Sequence, residues 1–232
     1  MATDLQSPPE TSTEPFEGIA MPGIGWSGYK TMLRLRGEKS RPRMIYLDGD
    51  LWLMSPVFSH DHTANRLNRF VDELTTGLGI RCVPSRSTTF RRRKKQAGVE
   101  GDATFYLVNA TRLRGLANIN LSIDPPPDLA IEAVNTHGAS HALAVYRRLG
   151  VPEVWVSDSS GMAILALNAN KRYIRVDSSV AFPFLSAAEI AEWIYRPFSN
   201  DETQWALDLR QWVATVLLSR YRDLDPNAHK TS

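Results

Sequence analysis

The chain has 232 residues, 43% of them apolar and 22% charged, with a formal net charge of +2. That is enough sequence for one domain with a sizeable hydrophobic core, and the composition is that of a globular protein. No run approaches the roughly 18 to 20 apolar residues of a membrane-spanning helix, and the acidic, polar N-terminus does not read as a signal peptide. The single cysteine, Cys82, excludes an intrachain disulfide and a multi-cysteine zinc site. A cytoplasmic, reducing location is therefore expected, with Cys82, set between Ile80 and Val83, as a buried structural thiol.

Residues 1–22 are rich in Pro, Ser, Thr and Glu and predict a disordered tail. A single domain is expected over 23–220, followed by a loose polar end over 221–232. Tyr29, Met32, Leu33 and Leu35 predict a short helix that stops at Gly37. Apolar runs on either side of Asp48-Gly49 predict a β-hairpin from Arg43 to Met54, because that dipeptide tolerates the positive φ angles of a tight turn. Between His60 and Leu78, the spacing of Ala64, Leu67, Val71, Leu74 and Leu78 predicts a long helix. Gly77 and Gly79 are its natural stops.

A strand is expected over Ile80 to Val83, then a polar loop that carries Arg91, Arg92, Arg93, Lys94 and Lys95. Those five cations make either a solvated loop or a phosphate-binding segment, since clustered Lys and Arg gain affinity by releasing DNA counterions. Val99 to Asn109 reads as one strand. Leu129 to Val134, behind the rigid Pro125–Pro127 lead-in, reads as a strand buried on both faces. An amphipathic helix over Ala139 to Leu149 and a strand over Glu153 to Val156 follow. Met162 to Leu167 and Tyr173 to Val176 predict a second hairpin. Ser186 and Glu189 have capping-box spacing. The last helix, Asp201 to Arg220, presents Trp205 and Trp212 on one face, as core or as a dimer contact.

The chemistry concentrates in GVEGDATFYL and PPPDLAIEAV. Strand alternation would put Glu100 and Asp102 on one side, and Asp128 and Glu132 on one side of the next strand. Glu132 is the most anomalous acid, because a carboxylate inside an apolar strand is costly unless paired. A divalent cation with oxygen ligands would satisfy it, and so would a buried arginine. Among the histidines, His60 could cap the long helix or face the site. His137 and His141 lie one helical turn apart without an HExxH context, which favours solvent-facing or hydrogen-bonded roles over zinc.

With GVEGDATFYLVN, DPPPDLAIEAV and VYRRLGVPEVWV, and with RMIYLDGDLWLMSP followed by His60, the chain resembles the Uma family of restriction endonucleases over about residues 26–215. The resemblance implies an α/β (α+β) restriction-endonuclease-like core: a mixed central sheet flanked by helices, with an N-terminal β-hairpin. It further implies a P-D…(D/E)-x-K nuclease that cleaves DNA with Mg²⁺ or Mn²⁺. Asp102 and Glu132 would be its metal-binding acids and Glu100 an assisting acid, with the Arg91–Lys95 run on the phosphate backbone. Two copies would be needed to cut both strands, so a homodimer is expected.

The sequence departs from this pattern at two points. Gly101 stands where the motif has proline, a change that should be tolerable because proline is not a ligand. The family lysine, four residues before the tyrosine matched by Tyr146, is Ala142. Arg147, Arg148, Lys94 or Lys95 could replace it, or His141 could supply a proton. Alternatively the chain is a catalytically degenerate nuclease-fold protein that acts as a nucleic-acid binder or regulatory partner.

Overall fold

Asp48 and Gly49 both take positive φ angles, 50° and 108°, and turn β2 (Arg43–Leu47) back onto β3 (Asp50–Met54) in the expected hairpin. The computed structural model describes residues 18–39, 41–54, 58–85, 88–134, 139–197 and 201–224, without the side chains of 58–61. His137, the side chain of His60 and most of both expected tails lie outside the described residues. Two stretches assigned to the tails are ordered elements. Gly18–Met21 forms β1, which pairs with β3, and residues 221–224 close the final helix.

The first sheet has the order β1-β3-β2-β6-β5, with β5 spanning Thr89–Arg92 and β6 spanning Ala97–Glu100. Every recorded pairing in it is antiparallel. The second sheet is mixed, in the order β11-β10-β9-β8-β7-β4. Its strands are β4 (Val83–Pro84), β7 (Ala103–Tyr106), β8 (Leu129–Ala133), β9 (Glu153–Asp158), β10 (Gly161–Leu167) and β11 (Tyr173–Val176). Among the described residues only β8 and β9 pair in parallel. A parallel connection needs a crossover, which α3 (Ala139–Leu149) supplies.

Each face of the second sheet is buried by different helices, which explains the unbroken apolar run of β8. On one side Leu129, Ile131 and Trp155 pack against Leu67, Phe70 and Leu74 of α2 (Phe58–Leu78). The same cluster takes in Trp193 of α4 (Ala187–Ile194) and Trp205 of α5 (Glu202–Trp212). On the other side Ala130, Val154 and Val156 meet Ala142, Val145 and Tyr146 of α3. Ile45, Phe90 and Val99 of the first sheet join that second cluster, so α3 lies between the two sheets. The outer face of the first sheet is covered by Tyr29 and Leu33 of α1 (Gly25–Arg36), with Tyr29 stacked on Tyr46 at 4.8 Å.

Two expectations need correction, and a two-way one is narrowed. Val99 to Asn109 is not one strand: β6 ends at Glu100 in the first sheet and β7 begins at Ala103 in the second, so Gly101-Asp102 carries the chain between sheets. The basic run is not a loop but the edge strand β5 continued by a 3₁₀ turn, Arg93–Lys95. Trp205 is 5% exposed, donates its indole N–H to the Trp193 carbonyl at 2.9 Å and packs edge-on to Trp193. Trp212 packs on Trp193 and Phe70. Trp205 belongs to the core and Trp212 is partly buried against it, so the core role expected for this face is filled. The final helix is also interrupted by one wide π turn, Val213–Leu217, before α6 (Leu218–Leu224).

Candidate active site at the junction of the two sheets

The break at Gly101-Asp102 decides which acids meet. Glu100 belongs to the first sheet. It accepts both terminal nitrogens of Arg36, the Met44 N–H at 3.1 Å and the Thr89 hydroxyl. With both oxygens engaged by the first sheet and by α1, Glu100 is built into the packing there, and the alternation expected to align it with Asp102 does not span the sheet change. Asp128 is likewise held by loop donors, the N–H groups of Leu107 and Asn109 at 2.7 and 3.0 Å and the Asn109 side chain at 2.6 Å.

Asp102 and Glu132 share one electrostatic neighbourhood. Asp102 accepts the N–H of Ala133 at 2.7 Å, the residue after Glu132. Arg43, the first residue of β2, donates its Nη1 to the other Asp102 oxygen. Glu132 is 3% exposed, and its hydrogen bond among the described residues comes from the Tyr146 hydroxyl at 2.6 Å. Burial pushes the Glu132 carboxyl up to about 8, and the Asp102 charge adds to the rise. Arg43 and the Tyr146 bond act against it. Burial also works against the Arg43 charge, but Asp102 and Glu132 outweigh it and hold the guanidinium above its usual value. Tyr146 is pushed well above the usual tyrosine range by burial and by Glu132.

A second buried acid of β8's neighbour strand gives the contrast. Glu153 accepts the Trp155 indole N–H at 2.6 Å, the Ser179 hydroxyl at 2.7 Å and the Ala181 N–H at 2.7 Å. Three neutral donors satisfy it without an ion. Glu132 has one hydroxyl and a nearby like charge, so its burial is not explained by hydrogen bonding alone.

Two of the replacement cations named from the sequence are engaged elsewhere. Arg148 holds Asp48 with two bonds of 2.8 and 2.7 Å. Lys95 donates to the carbonyls of Arg148 and Leu149 at 2.7 and 3.2 Å, closing the C-terminal end of α3. Arg147 and Lys94 are exposed. His141 packs against Trp52 with ring centres 4.3 Å apart and the rings tilted by 34°, and burial lowers its pKa, which favours the neutral ring. His62 pairs with Glu202 at 3.3 Å. Burial pushes the Cys82 thiol up to about 11, which fits an inert structural thiol.

Arg43 and Tyr146 are the site residues that sequence reasoning missed. The burial of Arg43 (8% exposed) is seen only in the structure, and Arg is almost never buried without a partner. The role of Gly101 also needs correction. A Cβ there would collide with the Tyr146 hydroxyl, so the glycine is required by that hydroxyl and is not a neutral stand-in for proline.

Among the described residues no three His, Cys, Asp or Glu side chains gather as a metal cluster. The two-acid set still suits a hard divalent ion, which takes one or two carboxylates and completes its shell with water and phosphate oxygens. Two carboxyl groups face one guanidinium, so one of them lacks a counter-charge; burial then favours its protonated form until a cation is brought up.

The architecture is that of a mixed α+β protein with helices flanking its sheets, the class expected for a restriction-endonuclease-like core. The family described as "Putative restriction endonuclease" (Uma2) matches residues 29–194, more than half of the chain, and the protein belongs to that family. One similar solved structure is described as a "putative nuclease belonging to DUF820" from Anabaena variabilis. It is 12% identical with a TM-score of 0.48, covering 69% of this chain and 96% of the other. No curated protein matches. No helix among the described residues is long and apolar enough to cross a membrane.

Proposed function

We propose that this protein is a metal-dependent endonuclease that hydrolyses DNA phosphodiester bonds, with Asp102 and Glu132 as the residues that hold Mg²⁺ or Mn²⁺. The observation that carries the reading is buried Glu132 with Asp102 beside it on the N–H of Ala133, so that one acid raises the proton affinity of the other. Family membership supports nuclease chemistry. When bound, the ion supplies a more acidic water and charge stabilisation on the phosphate.

The protein's own residues do the rest. The Ala133 N–H fixes the Asp102 carboxylate, and Tyr146 fixes one Glu132 oxygen. Glu132 must lose its proton to serve as a ligand, and bringing up a cation is what favours that loss. In the hydrolysis a water oxygen bonds to phosphorus, the bond to the leaving sugar oxygen breaks, and the water's proton ends on that oxygen. Arg91, Arg93 and Lys94, exposed on β5 and its turn, are suited to the phosphate backbone. Arg91 and Arg92 are consecutive strand residues and face opposite ways, so the run grips DNA along an edge. A cytoplasmic homodimer, one copy per strand, completes the reading.

One observation favours the degenerate alternative: the family's lysine position is Ala142, so α3 supplies no cation there. Supercoiled plasmid incubated with purified protein in Mg²⁺ and in Mn²⁺ separates the two. Nicking that disappears in Asp102→Ala and Glu132→Ala supports the nuclease. A parent that binds plasmid without cutting it supports the binder.

A further inference from the structure

Phosphodiester cleavage at an acid pair calls for a cation that can meet the phosphate as charge develops on it. Ala142 carries none, and Arg148 and Lys95 are bound to Asp48 and to the end of α3. Arg43 is already inside the site. Its side chain is 10% exposed, its Nη1 is on Asp102, and its charge acts on Glu132 and Tyr146 as well. Arginine stays charged at any working pH, and its planar fork suits a phosphate.

The neighbouring pair shows how a purely structural arginine is bound here. Arg36 grips both oxygens of Glu100 with both terminal nitrogens and also donates to the Pro42 carbonyl at 3.2 Å. The Nε of both arginines is buried without a hydrogen-bond partner among the described residues, so the difference lies at the terminal nitrogens. Arg36 commits both of them to Glu100, whereas Arg43 meets Asp102 through Nη1.

We infer that Arg43 is the missing cation of this site. In the metal-free protein it is the counter-ion of Asp102. With that carboxylate holding a divalent ion, the Arg43 guanidinium would be free to meet the phosphate, in the part the lysine plays elsewhere. The inference rests on the reading of Asp102 and Glu132 as metal-binding acids. It assigns two opposed effects to one side chain: Arg43 competes with the metal, and it is needed for cleavage.

The test measures Mn²⁺ binding by electron paramagnetic resonance and nicking of supercoiled plasmid on the full chain. The variants are the parent, Arg43→Met, Arg43→Lys, Asp102→Asn, and Arg43→Met combined with Ala142→Lys. Arg43→Met is expected to bind Mn²⁺ about tenfold more tightly, the size of one neighbouring charge's effect. Its nicking is expected to fall by about 10²–10³, with part of that recovered by Ala142→Lys.

Arg43→Lys keeps the charge and covers the case in which Arg43→Met does not fold. It is expected to keep parental Mn²⁺ affinity and nicking within about tenfold, since the charge is retained and only the fork is lost. Arg43→Met binding Mn²⁺ no better than the parent, while Asp102→Asn abolishes binding, would overturn the role of Arg43 and leave the acid pair standing. So would Arg43→Lys losing about 10² or more in nicking. Absence of Mn²⁺ binding by the parent would overturn both.

Discussion

The hydroxyl of Tyr146 fills the space that a side chain at Gly101 would need, and from there it reaches Glu132 Oε1 at 2.6 Å. The glycine of the E-G-D sequence and the tyrosine of α3 are therefore one unit. Gly101→Ala should cost about 1–3 kcal/mol by overpacking. Adding Tyr146→Phe should recover part of that, because the next ring atom, Cζ, is 3.4 Å from the new methyl. Urea denaturation of the four proteins of this cycle measures the coupling. Simple additivity would refute it.

The buried carboxyl of Glu132 gives the metal-free protein a stability that depends on pH. Its folded-state value is raised from 4.5 to about 8 by burial and by Asp102, so the folded state keeps a proton that the unfolded chain releases. Stability from this group is complete below about pH 4.5 and is lost as pH rises through about 8. In EDTA, melting curves of the parent should shift downward across that window. Glu132→Gln should be flatter and relatively more stable at the alkaline end. Parallel profiles for the two proteins would remove Glu132 as the cause.

Within the basic run, neighbouring cations should behave differently. Lys95 closes α3 through two carbonyls, so Lys95→Met should cost about 0.5–1.5 kcal/mol, typical of a lost hydrogen bond. Its effect on the salt dependence of DNA binding should be small. Arg91→Gln and Lys94→Gln should leave the melting temperature unchanged. Each should reduce the slope of log K against log salt by about 0.9 for every phosphate charge it no longer neutralises. Fluorescence anisotropy with duplex DNA from about 50 to about 200 mM salt reads both effects.

Trp205 sits in the α2–α4–α5 core with its indole N–H bonded to Trp193. Trp205→Ala should therefore cost about 3–5 kcal/mol, as for a buried large aromatic. Sedimentation below the melting temperature should give the same oligomeric state as the parent. A change of state with unaltered stability would move this residue back to an interface.

Much of the architecture was legible because local rules and tertiary packing agree. The Asp48-Gly49 turn, the Ser186–Glu189 capping box and the α2 stripe of Leu67, Val71 and Leu74 all form as their spacing predicts. What could not be read was a change of partner without a change of pattern. The residues from Val99 to Tyr106 stay strand-like in composition on both sides of Gly101-Asp102, and nothing local marks the passage from one sheet to the other. That blind spot put Glu100 beside Asp102. Arg43 was hidden for a related reason: its partner is 59 residues away in sequence, and a cation at the start of a strand usually faces solvent.

The position of α3 between two sheets has a consequence for how the site comes into being. Arg43 arrives on the first sheet, Glu132 on the second, Asp102 on the strap that joins them, and Tyr146 on the helix clasped by both. Neither sheet alone contains the four groups. A partly folded chain with either sheet in place would expose at most isolated charges, and the acid pair would exist only once the last layer had docked. The candidate site is in that sense a late event of folding, and a chain that lacked either sheet would not present it.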